Sequence, residues 1–162
     1  FDIPKTSNLE IKKRLDKTIL ILFSDDEITY LNSDGTSLDK ISPEMAKLLV
    51  KENTTLIPMM AEEITSQKKG SEYRGRTLPL MKVTSMNEKD KLINVYLNVY
   101  SGEVTAIRSM QWKIWDVMWG FHIMDWQERD NIDNLFLKIF SILALISSIT
   151  GILLFFKVDI KK

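Results

Sequence analysis

The hydrophobic pattern of this chain changes character along its length. Up to residue 107, short apolar runs are separated by polar turns, which is typical of strands and of helices packed on them. Residues 108–130 are rich in tryptophan, and the last apolar run, Ile139–Phe156, contains no charged residue. The pattern therefore predicts a folded domain, then a separate helix, then a membrane-spanning segment.

The segment 18–107 is predicted as an α+β domain with a small antiparallel sheet. Its predicted strands are apolar or alternating runs bounded by turn residues, at 18–23, 28–32, 76–85, 92–100 and 103–107. The polar segments predicted as turns are Asp25–Glu27, Ser33–Gly35, Asn87–Lys91 and Ser101-Gly102. Along 92–100, strict alternation places Val95 and Leu97 on one face of the sheet and Tyr96 on the other.

Two helices are predicted inside this domain. Ser42 is a suitable N-cap and Pro43 suits the first helical position, so residues 41–53 are predicted as one helix. Residues 57–69 are predicted as a second helix, with Pro58 near its start and a glycine at its end. Residues 1–17 are polar and are predicted as a linker or a short helix.

The C-terminal apolar run predicts a transmembrane helix at 135–158, followed by a cytoplasmic tail at 159–162. The run is long enough to cross a hydrocarbon core of about 30 Å at about 1.5 Å per residue. Lys157, Lys161 and Lys162 follow it, and by the positive-inside rule they place the C-terminus in the cytoplasm and the domain outside. Because the chain begins with Phe1, we expect an upstream segment, either a cleaved signal or a further helix.

The four tryptophans and the single histidine of the chain fall in one stripe. They are spaced three or four residues apart, which places them on one side of a helix: Trp112, Trp115, Trp119, His122 and Trp126. The opposite side is also apolar (Ile114, Val117, Phe121, Met124), and Lys113, Asp116 and Asp125 mark the edges. A helix that is apolar on two sides must be covered twice, so residues 108–130 are predicted as an interfacial helix.

Three interpretations of the stripe stay open. Indoles are favoured at a bilayer interface, which indicates packing or anchoring at membrane lipids. Tryptophan is also enriched in binding hot spots, so the stripe could dock on another membrane subunit. Finally, His122 could ligate a haem iron, with a second axial ligand from another helix, a partner chain, or Met118 or Met124. In the predicted span, Ser147 and Gly151 form a small-xxx-small pair that allows close approach of another helix.

Composition and missing motifs exclude several classes of function. Lys+Arg and Asp+Glu both number 22, so the chain lacks the basic excess of a nucleic-acid binder. It has no Cys and one His, which excludes thiol chemistry and multi-histidine metal sites built from this chain alone. No catalytic triad or phosphate-binding loop is present, so we predict no intrinsic catalysis. Basic residues at 68, 69, 74 and 76 are interpreted as a solvated loop that could meet lipid headgroups or an acidic partner.

Four consecutive segments resemble the PepSY domain with its associated transmembrane helix. They are the proline-containing strand "LPLMKV", the strand–turn–strand "YLNVYSGEV", the Trp-rich helix and the predicted span with Thr150-Gly151. The resemblance extends over residues 76–156. It implies a small extracytoplasmic α+β domain in the bacterial inner membrane, in a topology with a second helix before it. Some larger PepSY-associated proteins resemble ferric-siderophore reductases that hold haem through histidines in their spans. PepSY domains of protease propeptides suggest peptidase inhibition, here acting in trans.

The function expected from residues and resemblance together is a membrane-anchored accessory subunit. It would dock on or regulate a larger membrane protein complex without catalysis of its own. The alternatives are a small b-type haem or electron-transfer subunit that uses His122, and a peptidase-inhibitory module.

Overall fold

The computed structural model describes residues 8–24 and 27–159. The chain divides into two compact units, Phe1–Trp112 and Lys113–Lys162. In chain order, the elements of the described residues are β1 (Asn8–Arg14), β2 (Lys17–Phe23), β3 (Ile28–Asn32), α1 (Pro43–Asn53), β4 (Ile57–Ile64), β5 (Leu80–Met86), β6 (Leu92–Asn98), β7 (Val104–Arg108), α2 (Met110–His122) and α3 (Leu135–Asp159).

The first unit contains two small antiparallel sheets. Strands β1, β2 and β3 form one sheet in that order, and β4, β5, β6 and β7 form the other. The α+β class and the antiparallel pairing are confirmed, although the strands form two sheets where one was expected. The predicted strand bounds 28–32 are reproduced by β3, and the segment predicted at 18–23 lies within β2.

Residues 8–14 form a strand, so the prediction of a linker or short helix is wrong for them. Strand β1 pairs with β2 along its whole length, with Leu9 opposite Leu22 and Ile11 opposite Leu20. The tight turn between the two strands contains Leu15 at φ 53°. Glycine or asparagine normally occupies such a position, so this turn carried no signal in the sequence.

Residues 57–64 also form a strand, β4, where a helix was predicted. Their apolar positions 57, 60, 61 and 64 have the spacing of a helical face, which misled the prediction. Pairing with β5 over seven residues decides the conformation, and a bulge between Pro58 and Met60 breaks the register. Pro58 is tolerated because β4 lies at the edge of its sheet.

Helix α1 covers one face of the four-stranded sheet and closes the main core. The Ser42 hydroxyl accepts the Met45 N–H at 3.2 Å, which confirms the predicted N-cap. The core between helix and sheet consists of Ile41, Ala46, Leu49, Val50, Met81, Val83, Val95, Leu97 and Val99. Tyr96 packs on the other face with Tyr73, Leu80 and Ala106, as the alternation along β6 predicts.

The turn between β6 and β7 joins the two sheets of the first unit. The Asn98 side chain accepts the N–H groups of Tyr100 and Ser101 at 2.8 and 3.0 Å, which ends β6 two residues before the predicted end. Its Nδ2 donates to the Tyr30 hydroxyl at 3.0 Å. Arg14, 7% exposed, donates to the carbonyl oxygens of Tyr100 and Asp39 at 2.7 and 3.1 Å.

The second unit consists of the rest of α2, a structured connection and α3. Among the described residues, one helix is long and apolar enough to cross a membrane: Leu135–Lys157, with a mean hydropathy of 2.5 and none of its apolar window buried in the molecule. This agrees with the predicted span at 135–158. The predicted tail lies almost wholly outside the described residues, as do residues 1–7 of the predicted linker and Asp25 and Asp26 of the predicted acidic turn.

Candidate functional site

The Trp-rich helix is shorter than its hydrophobic pattern predicts. Helix α2 ends at His122, so Trp126 lies outside it. The Met124 N–H bonds the Phe121 carbonyl at 3.2 Å and the Asp125 N–H bonds the Gly120 carbonyl at 2.9 Å, which is the bond pattern of a Schellman motif. The left-handed position, normally glycine, is Met124 at φ 56°. Because methionine stands there, the sequence contained no visible stop signal.

The aromatic stripe is therefore only partly continuous. Trp115 stacks on Trp119 with ring centroids 6.0 Å apart, and Trp119 lies 5.8 Å from His122, as the helical spacing predicts. Trp126 instead contacts Phe121 and Phe136, with centroids 6.3 and 6.0 Å apart.

The side of α2 that is buried within the second unit is polar, whereas most of its large apolar side chains are exposed to solvent. Asp116, expected at an edge, is 3% exposed, and its Oδ2 lies 2.8 Å from Arg129 Nε. Arg129 crosses Gly120, where an added Cβ would lie 2.7 Å from Arg129 Cγ. The large apolar side chains of α2 that remain exposed in the second unit are called here the apolar face of α2: Ile114, Trp115, Val117, Met118, Trp119 and Phe121.

The connection after α2 is organised by one carboxylate, Asp125. Its oxygens accept four backbone N–H groups at 3.0–3.3 Å, from Gln127, Glu128, Asp130 and Asn131. Burial opposes ionisation, but the four donors outweigh it and hold the pKa of Asp125 below its ordinary value. The sequence placed Asp125 at the edge of a helix, whereas it is the centre of a turn.

The connection also caps α3. The Asn134 side-chain oxygen accepts the Leu137 N–H at 2.9 Å, and its Nδ2 donates to the carbonyls of Ile123 and Asn131 at 2.7 and 2.8 Å. One side chain thus bonds the first turn of α3 and the residue that follows α2. The second unit consequently holds its two helices through a hydrogen-bonded connection.

The lowered pKa of Asp125 predicts that this connection loses stability in acid. A carboxyl whose pKa is lower in the folded state contributes stability above its unfolded pKa of about 3.9, and that contribution is lost as the pH falls through the folded value. We expect the melting temperature, followed by tryptophan fluorescence of the full chain in an uncharged detergent, to fall more steeply below about pH 4 in the wild type than in Asp125→Asn. Parallel curves for the two proteins would contradict this role.

His122 is exposed at the C-terminal end of α2, with its ring tilted by 32° against that of Trp119. Met118 lies one turn before it on the same helix, and ligands from one side of a helix do not reach opposite faces of a haem iron. Met124 lies two residues after it in the turn. The residues that the structure describes contain no cluster of three or more His, Cys, Asp or Glu side chains that could hold a metal ion.

The small residues of α3 are exposed along the helix. Ser147 is exposed and an added Cβ at Gly151 would meet nothing within 4 Å. The neighbouring hydroxyls bond within the helix, from Ser148 to the Ala144 carbonyl and from Thr150 to the Ile146 carbonyl, both at 2.8 Å. Within the described unit, this surface is open to a further helix.

A polar cluster in the first unit was not predicted from the sequence. The loop between β4 and β5 lies against β6, where Glu72 Oε2 accepts Asn94 Nδ2 at 2.8 Å and the Tyr96 hydroxyl at 2.9 Å. Burial, together with this hydrogen bond, raises the pKa of Tyr96 well above its ordinary value. The polar residues that alternate along β6 could have indicated a polar cluster on this face of the sheet. The groups that they face follow only from the strand register, in which Arg108 lies opposite Asn94.

Next to this cluster, two guanidinium groups face the ring of Trp112. Arg108 Cζ lies 4.2 Å from the ring centroid and Arg74 Cζ lies 5.7 Å from it. Arg108 Nε also donates to the Glu72 carbonyl at 3.0 Å. Burial, and the nearby charges of Arg76 and Arg74, lower the pKa of Arg108. Trp112, expected in an interfacial stripe, thus contacts basic side chains of the first unit.

Comparison with known proteins found no matching family model, no matching curated protein and no matching solved structure.

Proposed function

We propose that this protein is a membrane-anchored accessory subunit that binds a larger membrane protein complex and has no catalysis of its own. The observation that carries the proposal is the apolar face of α2, which the rest of its unit leaves uncovered. The same unit contains the candidate span Leu135–Lys157. We place the first unit on the extracytoplasmic side of a bacterial inner membrane, in keeping with the positive-inside rule and the PepSY-like sequence pattern.

The free energy gained by burying apolar side chains favours a partner that covers this face. Burying one large apolar side chain contributes about 1.5–3 kcal/mol, and exposed apolar patches of this kind mark interaction surfaces. Trp115 and Trp119 are 58% and 38% exposed and stack on each other, so they present a flat, rigid surface. Tryptophans in such positions are frequent binding hot spots.

The polar connection supports binding through a fixed arrangement. The carboxylate of Asp125 and the ion pair of Asp116 with Arg129 fix the chain immediately after α2. Asn134 bonds both this connection and the start of α3. A surface that is ordered before binding loses less conformational entropy when a partner covers it. Ser147 and Gly151 offer a second contact, inside the bilayer, to a helix of the same partner.

Site-specific photo-crosslinking tests the proposal. A photoreactive amino acid replaces Trp119 in the full chain, expressed in its native membranes, and Lys89 in the turn between β5 and β6 is the control position. We expect a discrete protein crosslink from position 119 and none from position 89. Crosslinks from position 119 to lipid alone would show that the face only anchors the protein at the bilayer, and would contradict the accessory-subunit role.

A hot-spot role also predicts a graded loss of binding. Trp119→Ala is expected to lower the binding free energy for the crosslinked partner by about 2 kcal/mol, roughly 30-fold in affinity, and so to reduce co-purification of that partner. Leu92→Ala, at an exposed position of β6, should leave the affinity unchanged.

The haem alternative is tested in the same preparation. A Soret band in the purified protein that disappears in His122→Ala would replace the binding role by a redox role.

A further inference from the structure

The outer edge of β1, which is the side of the strand that faces away from β2, is open. The Ser24 N–H donates to the Glu27 carbonyl at 2.9 Å, which places the hydrogen bonds of β2 with β3 at the even-numbered residues of β2. The odd-numbered residues of β2 therefore bond β1, at positions 8, 10, 12 and 14. The backbone N–H and C=O groups of Leu9, Ile11 and Lys13 consequently point away from the sheet, and among the described residues they have no hydrogen-bond partner.

The opposite edge of the same sheet is covered by the chain itself. On β3, the Tyr30 carbonyl accepts the Leu38 N–H at 3.0 Å, and the Asn32 N–H donates to the Thr36 carbonyl at 2.8 Å. Strand β1 has no such cover among the described residues, although it is seven residues long. Backbone groups that are left unpaired along a strand form a template on which another strand can add.

The side chains of β1 are complementary to a second strand of the same sequence. An antiparallel pair of β1 strands, related by a two-fold axis at Ile11, aligns all seven residues of the strand. Glu10 of each copy then lies opposite Lys12 of the other copy, and opposite charges directly across an antiparallel pair stabilise it. At the axis the two Ile11 side chains meet. Leu9, which is 46% exposed, lies opposite the aliphatic stem of Lys13.

Other centres of the same two-fold pairing are unfavourable. Residues directly opposite each other must lie on the same face of the sheet, so the nearest alternative centres are Glu10 and Lys12. Each of them would place two like charges directly opposite each other at the axis, which destabilises the pair. They would also restrict the overlap to residues 8–12 or 10–14. The pairing centred on Ile11 is therefore favoured both by charge and by the length of the overlap.

We propose that two copies of this protein associate through the outer edges of their β1 strands, as an antiparallel pair centred on Ile11. Their three-stranded sheets then form one six-stranded sheet. Space for the added strand is present beside the C-terminal half of β1, where a cavity of about 610 Å³ is lined by Lys12 and Lys13. The interface lies in the first unit and does not use the apolar face of α2, so it stands or fails separately from the proposed docking role.

Disulfide crosslinking of the full chain in its native membranes tests the pairing, because the chain has no Cys of its own. In the proposed register the two Cα atoms of position 11 lie about 5.5 Å apart, which is within disulfide reach. We expect Ile11→Cys to form a covalent dimer under mild oxidation, read on a non-reducing gel. Leu92→Cys replaces a similarly exposed side chain of β6 and should stay monomeric. Absence of the Ile11→Cys dimer, or equal dimer formation by the two variants, would overturn the proposal.

Two further positions test the register. Position 9 lies opposite position 13 of the second copy and about 13 Å along the strand from position 9 of that copy, so Leu9→Cys should not crosslink to itself. Coexpression of Leu9→Cys with a differently tagged Lys13→Cys should give the mixed covalent dimer. A Leu9→Cys homodimer, or a failure of the mixed dimer to form, would overturn the pairing centred on Ile11.

The cross-strand charges provide the third measurement. Glu10→Lys places a positive charge opposite Lys12 at both symmetry-related positions, and two attractive pairs become repulsive. We expect this change to lower the yield of the Ile11→Cys dimer about tenfold. Glu88→Lys makes the same charge change in the turn between β5 and β6, and it should leave the yield unchanged. Equal yields with Glu10→Lys and Glu88→Lys would contradict the pairing of Glu10 with Lys12.

Discussion

Replacing Asp116 by alanine is expected to destabilise the connection between α2 and α3 by about 3 kcal/mol, because the change removes a buried carboxylate that lies 2.8 Å from Nε of the largely buried Arg129. The backbone amides of residues 123–134 should then exchange with solvent on the order of 100-fold faster. Hydrogen–deuterium exchange of the full chain in detergent, read by mass spectrometry, measures this directly.

Two variants separate the charge effect from the loss of packing. Asp116→Ala/Arg129→Met also removes the largely buried guanidinium and keeps an aliphatic stem across Gly120, so it should exchange more slowly than Asp116→Ala alone. Gln127→Ala changes an exposed side chain of the same connection and should have little effect. Equal exchange in Asp116→Ala and the double variant would show that the ion pair does not hold the connection.

Replacing Gly102 by alanine is expected to destabilise the first unit by about 3 kcal/mol. Gly102 has φ +72°, which costs an L-residue about 1–2 kcal/mol, and its added Cβ would lie 2.6 Å from Leu49 Cδ1 in the main core. The same Cβ would lie 3.4 Å from Cγ of Arg14, which holds β1 to this turn. Urea unfolding of the full chain in a non-ionic detergent, followed by far-ultraviolet circular dichroism, measures the loss.

Gly75 provides the matched control for Gly102. It has almost the same backbone angle, φ +71°, but an added Cβ would meet nothing within 4 Å. Gly75→Ala should therefore cost only the backbone term, about 1 kcal/mol. If the two alanine variants lost equal stability, the close approach of the turn to Leu49 would not matter for folding.

The parts of the fold that agreed with the sequence are those in which local chemistry and tertiary packing favour the same conformation. Helix α1 has a serine cap, a proline at its first position and an apolar face, and all three act within a few residues. Strand β6 alternates strictly, so its two faces follow from the pleat alone. Helix α3, the candidate span, requires only length and hydropathy for its prediction.

The parts that disagreed depend on contacts that are remote in sequence or on unusual residues in special conformations. Strand β4 has apolar positions at helical spacing and becomes a strand because β5 pairs with it. Leu15 and Met124 adopt positive φ, where the expected residues are glycine or asparagine, and so the first hairpin and the end of α2 had no signal.

In the candidate sites, too, some features follow from the sequence alone and others only from contacts between residues far apart in the sequence. The sequence by itself determined a Trp-rich segment ahead of a membrane-length helix, because tryptophan content and hydropathy are properties of the residues alone. Only the tertiary structure decided that Trp126 leaves the stripe, that Asp116 and Asp125 organise the connection, and that Arg74 and Arg108 meet at the ring of Trp112. Those outcomes depend on strand register and on how turns reverse the chain, and the free energies that select them come from groups far apart in the sequence.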